Sequence, residues 1–586
     1  MMRGRFLMAA FRNAGARAAI LARMIAAARG AHLSATLDLD ALITFASGSA
    51  MPVEAGGVVL GTTIMRGACS PLAELTPAHQ RSVAQSRGEW LIDACWGGYI
   101  AMLAQPERRT VEILRAPLGD LPCYVVRVEG AVLLASDVQL LLAGASMRPE
   151  LSSAALARHL APGDIRRRET CLHGVEELAG GERITITPDV IERRALWSPW
   201  RSATSPSPLP TAEDAAARVS DAAQHCVSAR VNRGSHVLLK LSGGLDSSIL
   251  AACLARAGQP HSCLTLVTED PAGDERRYAR EVARALQVPL IEAVRQVGTV
   301  NLRRSAAARL PRPTARSFTQ ESDRIAADAA SEVGADLIFD GGGGDNVFCS
   351  QQSVRPLIDA LRCRVGVGAV IETATSIASL AQVSIATVAR RALIGRWRGT
   401  CRYAWPLDLR YLSDEARQAA AAAAAHPWLE APPGALPGKA AHVALVMAAQ
   451  SVVEGEDVQD AISTYSPLIS QPLVEACLEV PSWLWFQDGL NRWIARKAFA
   501  DDLPADVAFR RSKGSPDSFV ADIFDANRAT VRDMLLGGEL ARLGLLDLPR
   551  LGPALRDTGP LRSHDFLRLM QLVDAEAWAR SWTSHG

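Results

Sequence analysis

The spacing of apolar residues along the chain changes character at a Ser- and Pro-rich stretch, Arg201–Pro210. Before it, short apolar runs alternate with polar positions at Arg109–Leu114, Cys123–Val128, Ala131–Ser136 and Arg183–Pro188, a period of two that predicts β-strands joined by turns. After it, denser apolar runs at Val237–Leu241, Ser262–Val267, Val288–Val294 and Ala335–Phe339 read as buried strands. Helical spacing fills the gaps at 274–286 and 321–333. Strands alternating with helices predict a mostly parallel sheet. From Val354 onward helical patterning dominates, including Ala419–Ala425 and Ala440–Val453, and predicts a helical cap around a crevice.

The punctuation sets boundaries. Residues 1–30 read as a basic N-terminal extension, with six arginines and no acid, and are expected to be a poorly ordered segment or the product of an upstream start. Residues 31–200 form a β-rich domain, 201–212 a linker, and 213–586 an α/β domain. A chain of 586 residues is too long for one core.

Composition removes several functional classes. The net charge of +1 gives no global field for nucleic acid, and only 5% of residues are aromatic, so no base-stacking platform is evident. No apolar run is long enough to span a bilayer. Eleven cysteines lie scattered without CxxC pairs or zinc spacing, which fits reduced thiols in the cytoplasm.

Candidate chemistry lies in two loops. Leu241-Ser242-Gly243-Gly244-Leu245-Asp246-Ser247-Ser248 follows a strand and opens into a helix that stops near Gly258. Glycines admit a close backbone approach, and a helix start presents unpaired N–H groups and a positive dipole end, so the loop suits an anion. Asp246 would repel a bound phosphate unless a cation lies between, which points to a nucleotide carried with Mg²⁺. A second strand leads into Asp340-Gly341-Gly342-Gly343-Gly344-Asp345. In a doubly wound sheet the carboxyl ends of strands line one crevice, so Asp246 and Asp345 are expected to share a metal there.

These motifs resemble those of the ATP pyrophosphatases, whose loop reads SGGxDS, and within them the class B asparagine synthetases. Relatives of that family include β-lactam synthetases and the macrolactam synthetases of lasso-peptide biosynthesis. Ser466-Pro467-Leu468-Ile469-Ser470, Arg496-Lys497, Leu503-Pro504, Arg510, Lys513 and Gly514 follow the family's later motifs loosely. Trp96-Gly97-Gly98-Tyr99 and the segment from Arg115 to Tyr124 resemble its glutaminase half. The resemblance implies a glutaminase-like αββα sandwich followed by an ATP-pyrophosphatase-type parallel α/β domain with helical additions. It implies ATP and Mg²⁺ as cofactors, with adenylation of a carboxylate and release of pyrophosphate. Leu241, Ser242, Gly243, Gly244, Asp246, Ser247, Ser248, Val267, Asp340, Gly341 and Gly342 are then expected at the nucleotide and Asp246 and Asp345 at the metal; both aspartates are expected to be catalytic together with Lys513, whose charge would stabilise the tetrahedral intermediate or pyrophosphate.

Two departures narrow the expectation. The family's glutaminase works with an N-terminal cysteine, whereas this chain opens Met1-Met2-Arg3 and its first cysteine is Cys69, so the first half is expected not to make ammonia. The tyrosine–glutamate pair of β-lactam synthetases falls on Gly342 and, by loose alignment, Ser463, with Glu454 and Glu456 as possible substitutes. The combination looks most like a lasso-peptide macrolactam synthetase acting on a precursor core peptide, together with a leader-peptide-binding protein and a leader peptidase. Ammonia-dependent asparagine synthesis, β-lactam closure and a non-catalytic binding relative are the alternatives.

Overall fold

The computed structural model describes residues 4–583 except 55, 164, 206–209, 233, 269–273, 400–401, 424, 454–461, 512–516 and 557–564. Two six-stranded antiparallel sheets stack face to face in the first half. One is ordered 175–177, 124–128, 131–135, 6–11, 42–46, 34–39 along its width; the other runs 191–195, 182–186, 110–115, 95–105, 57–65, 50–53. Alternation along each strand divides the side chains between two cores. Phe6, Met8 and Ala10 join Leu60, Ile100 and Met102 between the sheets, while Leu7, Ala9 and Phe11 face outward to helices. Arg17–Gly30 and Val138–Ala145 cover that outer face through Ile20, Met24 and Leu141, and Pro77–Gln85 and Glu89–Ala94 cover the other sheet. The result is the expected αββα sandwich.

The first thirty residues correct the sequence reading. Phe6–Phe11 is an interior strand, antiparallel to both Leu42–Ala46 and Ala131–Ala135, and buried at every position. Its apolar run is continuous because both faces are covered, so it lacks the alternation that marks a half-exposed strand. The arginines around it act locally. Arg5 pairs with Asp137 at 3.1 Å, and Arg12 donates to Pro188 O at 2.6 Å.

In the second half five strands form a wholly parallel sheet in the order Leu290–Val294, His261–Val267, Val237–Lys240, Leu337–Phe339, Thr464–Tyr465. Helices Leu245–Arg256, Arg276–Leu286 and Thr319–Val333 make the crossovers. Chain order reverses between Val237–Lys240 and Leu337–Phe339, which pair in register Val237↔Leu337 to Leu239↔Phe339. Crossovers leave to opposite sides at such a point and open a crevice at the strands' carboxyl ends.

The boundary segment is packed. Trp200–Ala203 is one helical turn, and Trp200 Nε1 donates to Trp428 O at 2.9 Å; residues 206–209 lie outside the described residues. Helix Ala212–Ser228 then starts with a capping box between Thr211 and Asp214. The halves share a core in which Leu156, Leu160 and Leu172 of the first meet Phe524, Trp578 and Leu412 of the second. No single helix among the described residues is long and apolar enough to cross a membrane.

Candidate active site

Backbone geometry explains each glycine that matters in the first loop. Leu241 is buried, and its N–H donates to Leu264 O at 2.8 Å, which carries the sheet ladder up to the turn. Gly243 has φ +71°, and a Cβ there would meet Ala279 N and Tyr278 Cβ at 2.6 Å. Only glycine fits between the loop and the next helix. Gly244 caps Leu245–Arg256 with extended backbone and no side-chain cap, which leaves the first-turn N–H groups to outside acceptors. The serines brace the turn: Ser242 N–H donates to Ser247 Oγ at 3.2 Å, and Ser248 Oγ donates to Gly244 O at 2.8 Å.

The second loop is pressed onto the first. A Cβ on Gly344 would lie 2.7 Å from Cβ and Cγ of Asp246, and one on Gly341 would lie 3.0 Å from Ser247 N. Two of the four glycines are thus needed for contact with the other loop. Asp340 organises this turn, accepting from Gly342 N–H at 3.0 Å and from Ser466 Oγ at 2.6 Å. It thereby ties the loop to the Ser466–Ser470 segment. Leu468 and Ile469 of that segment pack against Gly344 and Gly343.

Asp246 and Asp345 converge on one atom. Nη1 of Arg492 donates to both oxygens of Asp246, at 3.2 and 3.1 Å, and also to Oδ1 of Asp345. Arg492 precedes helix Trp493–Ala498 in left-handed backbone, φ +55°, and its guanidinium is nearly buried. Its Nε is buried with no acceptor among the described residues. An unmet donor beside two carboxylates and a helix start suits a ligand that carries both negative charge and a cation. Two carboxylates meeting at one cation are hard oxygen donors of the kind Mg²⁺ takes when phosphates complete its shell, so the donor set fits that ion. No group of three or more His, Cys, Asp or Glu among the described residues could hold a metal unaided.

The remaining expected residues divide. Val267 ends its strand buried, with its carbonyl accepting from Arg295 N–H at 2.8 Å. Ser463 is buried, and its carbonyl accepts from Ile338 N–H at 3.1 Å. Neither Ser463 nor Gly342 carries an acid or base. Arg496 is spent on Asn491 O and Ala508 O, and burial, with Arg492 nearby, lowers its pKa to about 10, so it stays cationic at neutral pH. Lys497 pairs with Glu213 at 2.9 Å, and Arg510 pairs with Glu275 and stacks on Tyr278, the neighbour of Gly243. Lys513 and Gly514 lie outside the described residues, as do Glu454 and Glu456.

In the first half, the family-like glycines serve packing. A Cβ on Gly98 would strike Asp120, and Asp120 pairs with Arg230 of the second half at 3.3 Å. Arg115 is buried and donates to Glu177, Leu121 O and Leu178 O. Burial pushes the thiols of Cys95, Cys123 and Cys171 up to about 12, which holds them neutral.

Residues 218–580 match the model of the asparagine synthase family, and the chain belongs to that family. Residues 82–197 match a glutamine amidotransferase domain. Carboxyethyl-arginine beta-lactam-synthase of Streptomyces clavuligerus is 31% identical over 192 residues, a match that covers 30% of this chain and 36% of that protein's length. Among solved structures, glutamine phosphoribosylpyrophosphate amidotransferase from B. subtilis covers half of this chain at 7% identity and TM-score 0.21, with 81% of its own chain aligned. A structure described as the allosteric regulatory enzyme of purine biosynthesis covers the same share at 9% identity and TM-score 0.22, with 80% of its own chain aligned. At those scores neither bears on the site.

Proposed function

We propose that this chain is an ATP-dependent amide ligase that closes a macrolactam in a lasso-type precursor peptide. The observation that carries the ligase reading is the meeting of Asp246 and Asp345, from two glycine loops, on the Nη1 atom of Arg492 where the sheet order reverses. ATP is a substrate in this reading. A side-chain carboxylate of the core peptide attacks its α-phosphorus, and the bond to the β-phosphate breaks as pyrophosphate leaves. The peptide's N-terminal amine, exposed by a leader peptidase, then takes the acyl carbon and expels AMP.

The loop residues act on the phosphates and the ring. N–H groups at Gly243, Gly244 and the helix start receive the leaving pyrophosphate, with Ser242, Ser247 and Ser248 adding hydroxyls. Leu241, Val267, Asp340, Gly341 and Gly342 shape the nucleotide's bed. Asp246 and Asp345 are the holders for Mg²⁺, which when bound screens the triphosphate from these carboxylates. Arg492 and Lys513 are the cations assigned to the developing negative charge.

Supporting the intramolecular amine are the neutral buried thiols of the first half and the missing acid–base pair at Gly342 and Ser463. A held amine and acyl group reach effective molarities of roughly 10⁵–10⁸ M, against ~10²–10⁴-fold for a general base, so positioning outweighs proton transfer. A second reading, β-lactam closure of a small amino acid, is favoured by the likeness to the Streptomyces clavuligerus enzyme.

The test is incubation with Mg²⁺-ATP and linear core peptides bearing a free N-terminus and an internal Asp or Glu. AMP together with loss of one water from the peptide supports cyclisation. AMP formed only with a small β-amino acid, or only with aspartate and ammonia, overturns it. Asp246→Asn and Asp345→Asn should each lower AMP formation by about 10²–10³-fold, because each removes a charged holder of the Mg²⁺ that carries the phosphates.

A further inference from the structure

Beside Asp340, at the carboxyl ends of Val237–Lys240 and Leu337–Phe339, opens a crevice of about 1360 Å³. It exceeds the usual range for a small-molecule pocket. Through Thr314, Arg316 and Ser451 it adjoins a smaller cavity of about 270 Å³ that reaches Asn346, the residue after Asp345. A substrate whose reacting carboxylate lies at Asp340 has this crevice beside it.

The walls are basic. Among the described residues, seven cationic side chains line the crevice against three acidic ones. Part of this charge is internally matched: Lys240 pairs with Asp323 at 3.0 Å, Arg324 with Asp328 at 2.9 Å and Arg580 with Glu576 at 2.5 Å. Arg303 and Arg304 differ. Both are exposed, and neither has a carboxylate partner among the described residues. Their backbone is nevertheless fixed, because Arg303 N–H donates to Asn301 Oδ1 at 3.0 Å and Arg304 O accepts from Gln320 Nε2 at 2.8 Å. Two unmatched guanidiniums on a braced turn form a ready site for carboxylates.

We infer that this crevice binds acidic residues of the peptide substrate, beyond the carboxylate that reacts, with Arg303 and Arg304 as its specificity-determining pair. The position of the reacting end rests on the ligase reading above. A peptide suits the walls better than a nucleic acid does. None of the described lining residues is aromatic, so bases have no stacking surface, and Asp323, Asp328 and Asp340 interrupt the basic lining that a continuous phosphate chain would need. Ser305 and Thr314, whose Oγ1 is buried without a partner among the described residues, offer hydrogen bonds to a peptide backbone.

The experiment measures binding without ATP, by fluorescence anisotropy on the full chain. The probes are a labelled linear peptide with several Asp residues outside the acceptor position, its counterpart with Asn at those positions, and a labelled tRNA. The acidic peptide should bind at least about tenfold more tightly, and the preference should shrink with added salt. Arg303→Gln/Arg304→Gln should abolish the preference, while Arg303→Lys/Arg304→Lys keeps most of it; an unchanged melting curve in both shows intact folding. Equal binding of the two peptides, a preference untouched by the Gln variant, or tight tRNA binding in place of peptide binding overturns the inference. AMP assays on the same preparations separate the two readings. Acid preference without AMP formation refutes the ligase and leaves the crevice assignment standing, whereas AMP formation without acid preference refutes the crevice alone.

Discussion

Arg492 Nη1 neutralises two carboxylates that would otherwise face each other across the loops. Like charges at that range raise the pKa of one partner and destabilise the fold. Arg492→Ala should therefore lower the melting temperature of the ligand-free protein, and added Mg²⁺ should restore more stability to the variant than to the parent. Thermal shift with and without Mg²⁺ measures this directly; equal Mg²⁺ responses would remove the shared-cation picture. Gly344 gives a companion case, because any Cβ there would lie 2.7 Å from Asp246. Gly344→Ala should weaken ATP binding at least about tenfold by displacing that carboxylate, readable by calorimetric titration. The two loops are written locally in the sequence, each as a strand followed by glycines and an acid. Arg492 is not, since its partners lie 246 and 147 positions away and a single arginine before a short helix carries no local pattern. The nearest residues marked by the family resemblance were Arg496 and Lys497, four and five positions later.

At the scale of elements, the strands of the parallel sheet are legible because they are covered on both faces and separated by clear helical spacing. The predicted Val237–Leu241 and Ser262–Val267 differ by one residue from the observed bounds. The strand Phe6–Phe11 is just as buried, yet the arginines around it and the Ala-rich helix that follows pulled the reading toward an extension. Burial on both faces means it cannot be dispensable. Phe6→Ala should cost about 3–5 kcal/mol in chemical denaturation, the range for deleting a buried aromatic side chain. A chain lacking residues 1–11 should lose the antiparallel partner of both Leu42–Ala46 and Ala131–Ala135 and fail to fold its first half. Native circular dichroism and a parent-like melt in that truncation would contradict the central placement.

Across the whole molecule the halves are joined by buried charge as well as by a shared core. Glu177 of the first half accepts from Arg115, Arg166 and, in the second half, Arg312 at 2.7 Å, with all four side chains at least nine-tenths buried. Burial alone would raise the pKa of Glu177, but Arg166, Arg312 and Arg115 together bring it down to about 2 from an ordinary 4.5. A carboxylate with a depressed folded pKa contributes stability that is fully present above its unfolded pKa and is lost as pH falls toward the folded value. The window is therefore about pH 4.5 down to about pH 2. Glu177→Gln removes the anion that Arg115, Arg166 and Arg312 share and should cost about 3–5 kcal/mol near neutrality. The halves should then melt in separate steps, because Arg312 loses its carboxylate partner across the boundary. The gap in melting temperature between parent and variant should narrow as pH drops through the window, since protonation makes the parent resemble the variant. A gap that stays constant down to about pH 2.5, followed by calorimetry, would mean that folding leaves the pKa of Glu177 unchanged and that the arginines are held by their carbonyl contacts instead.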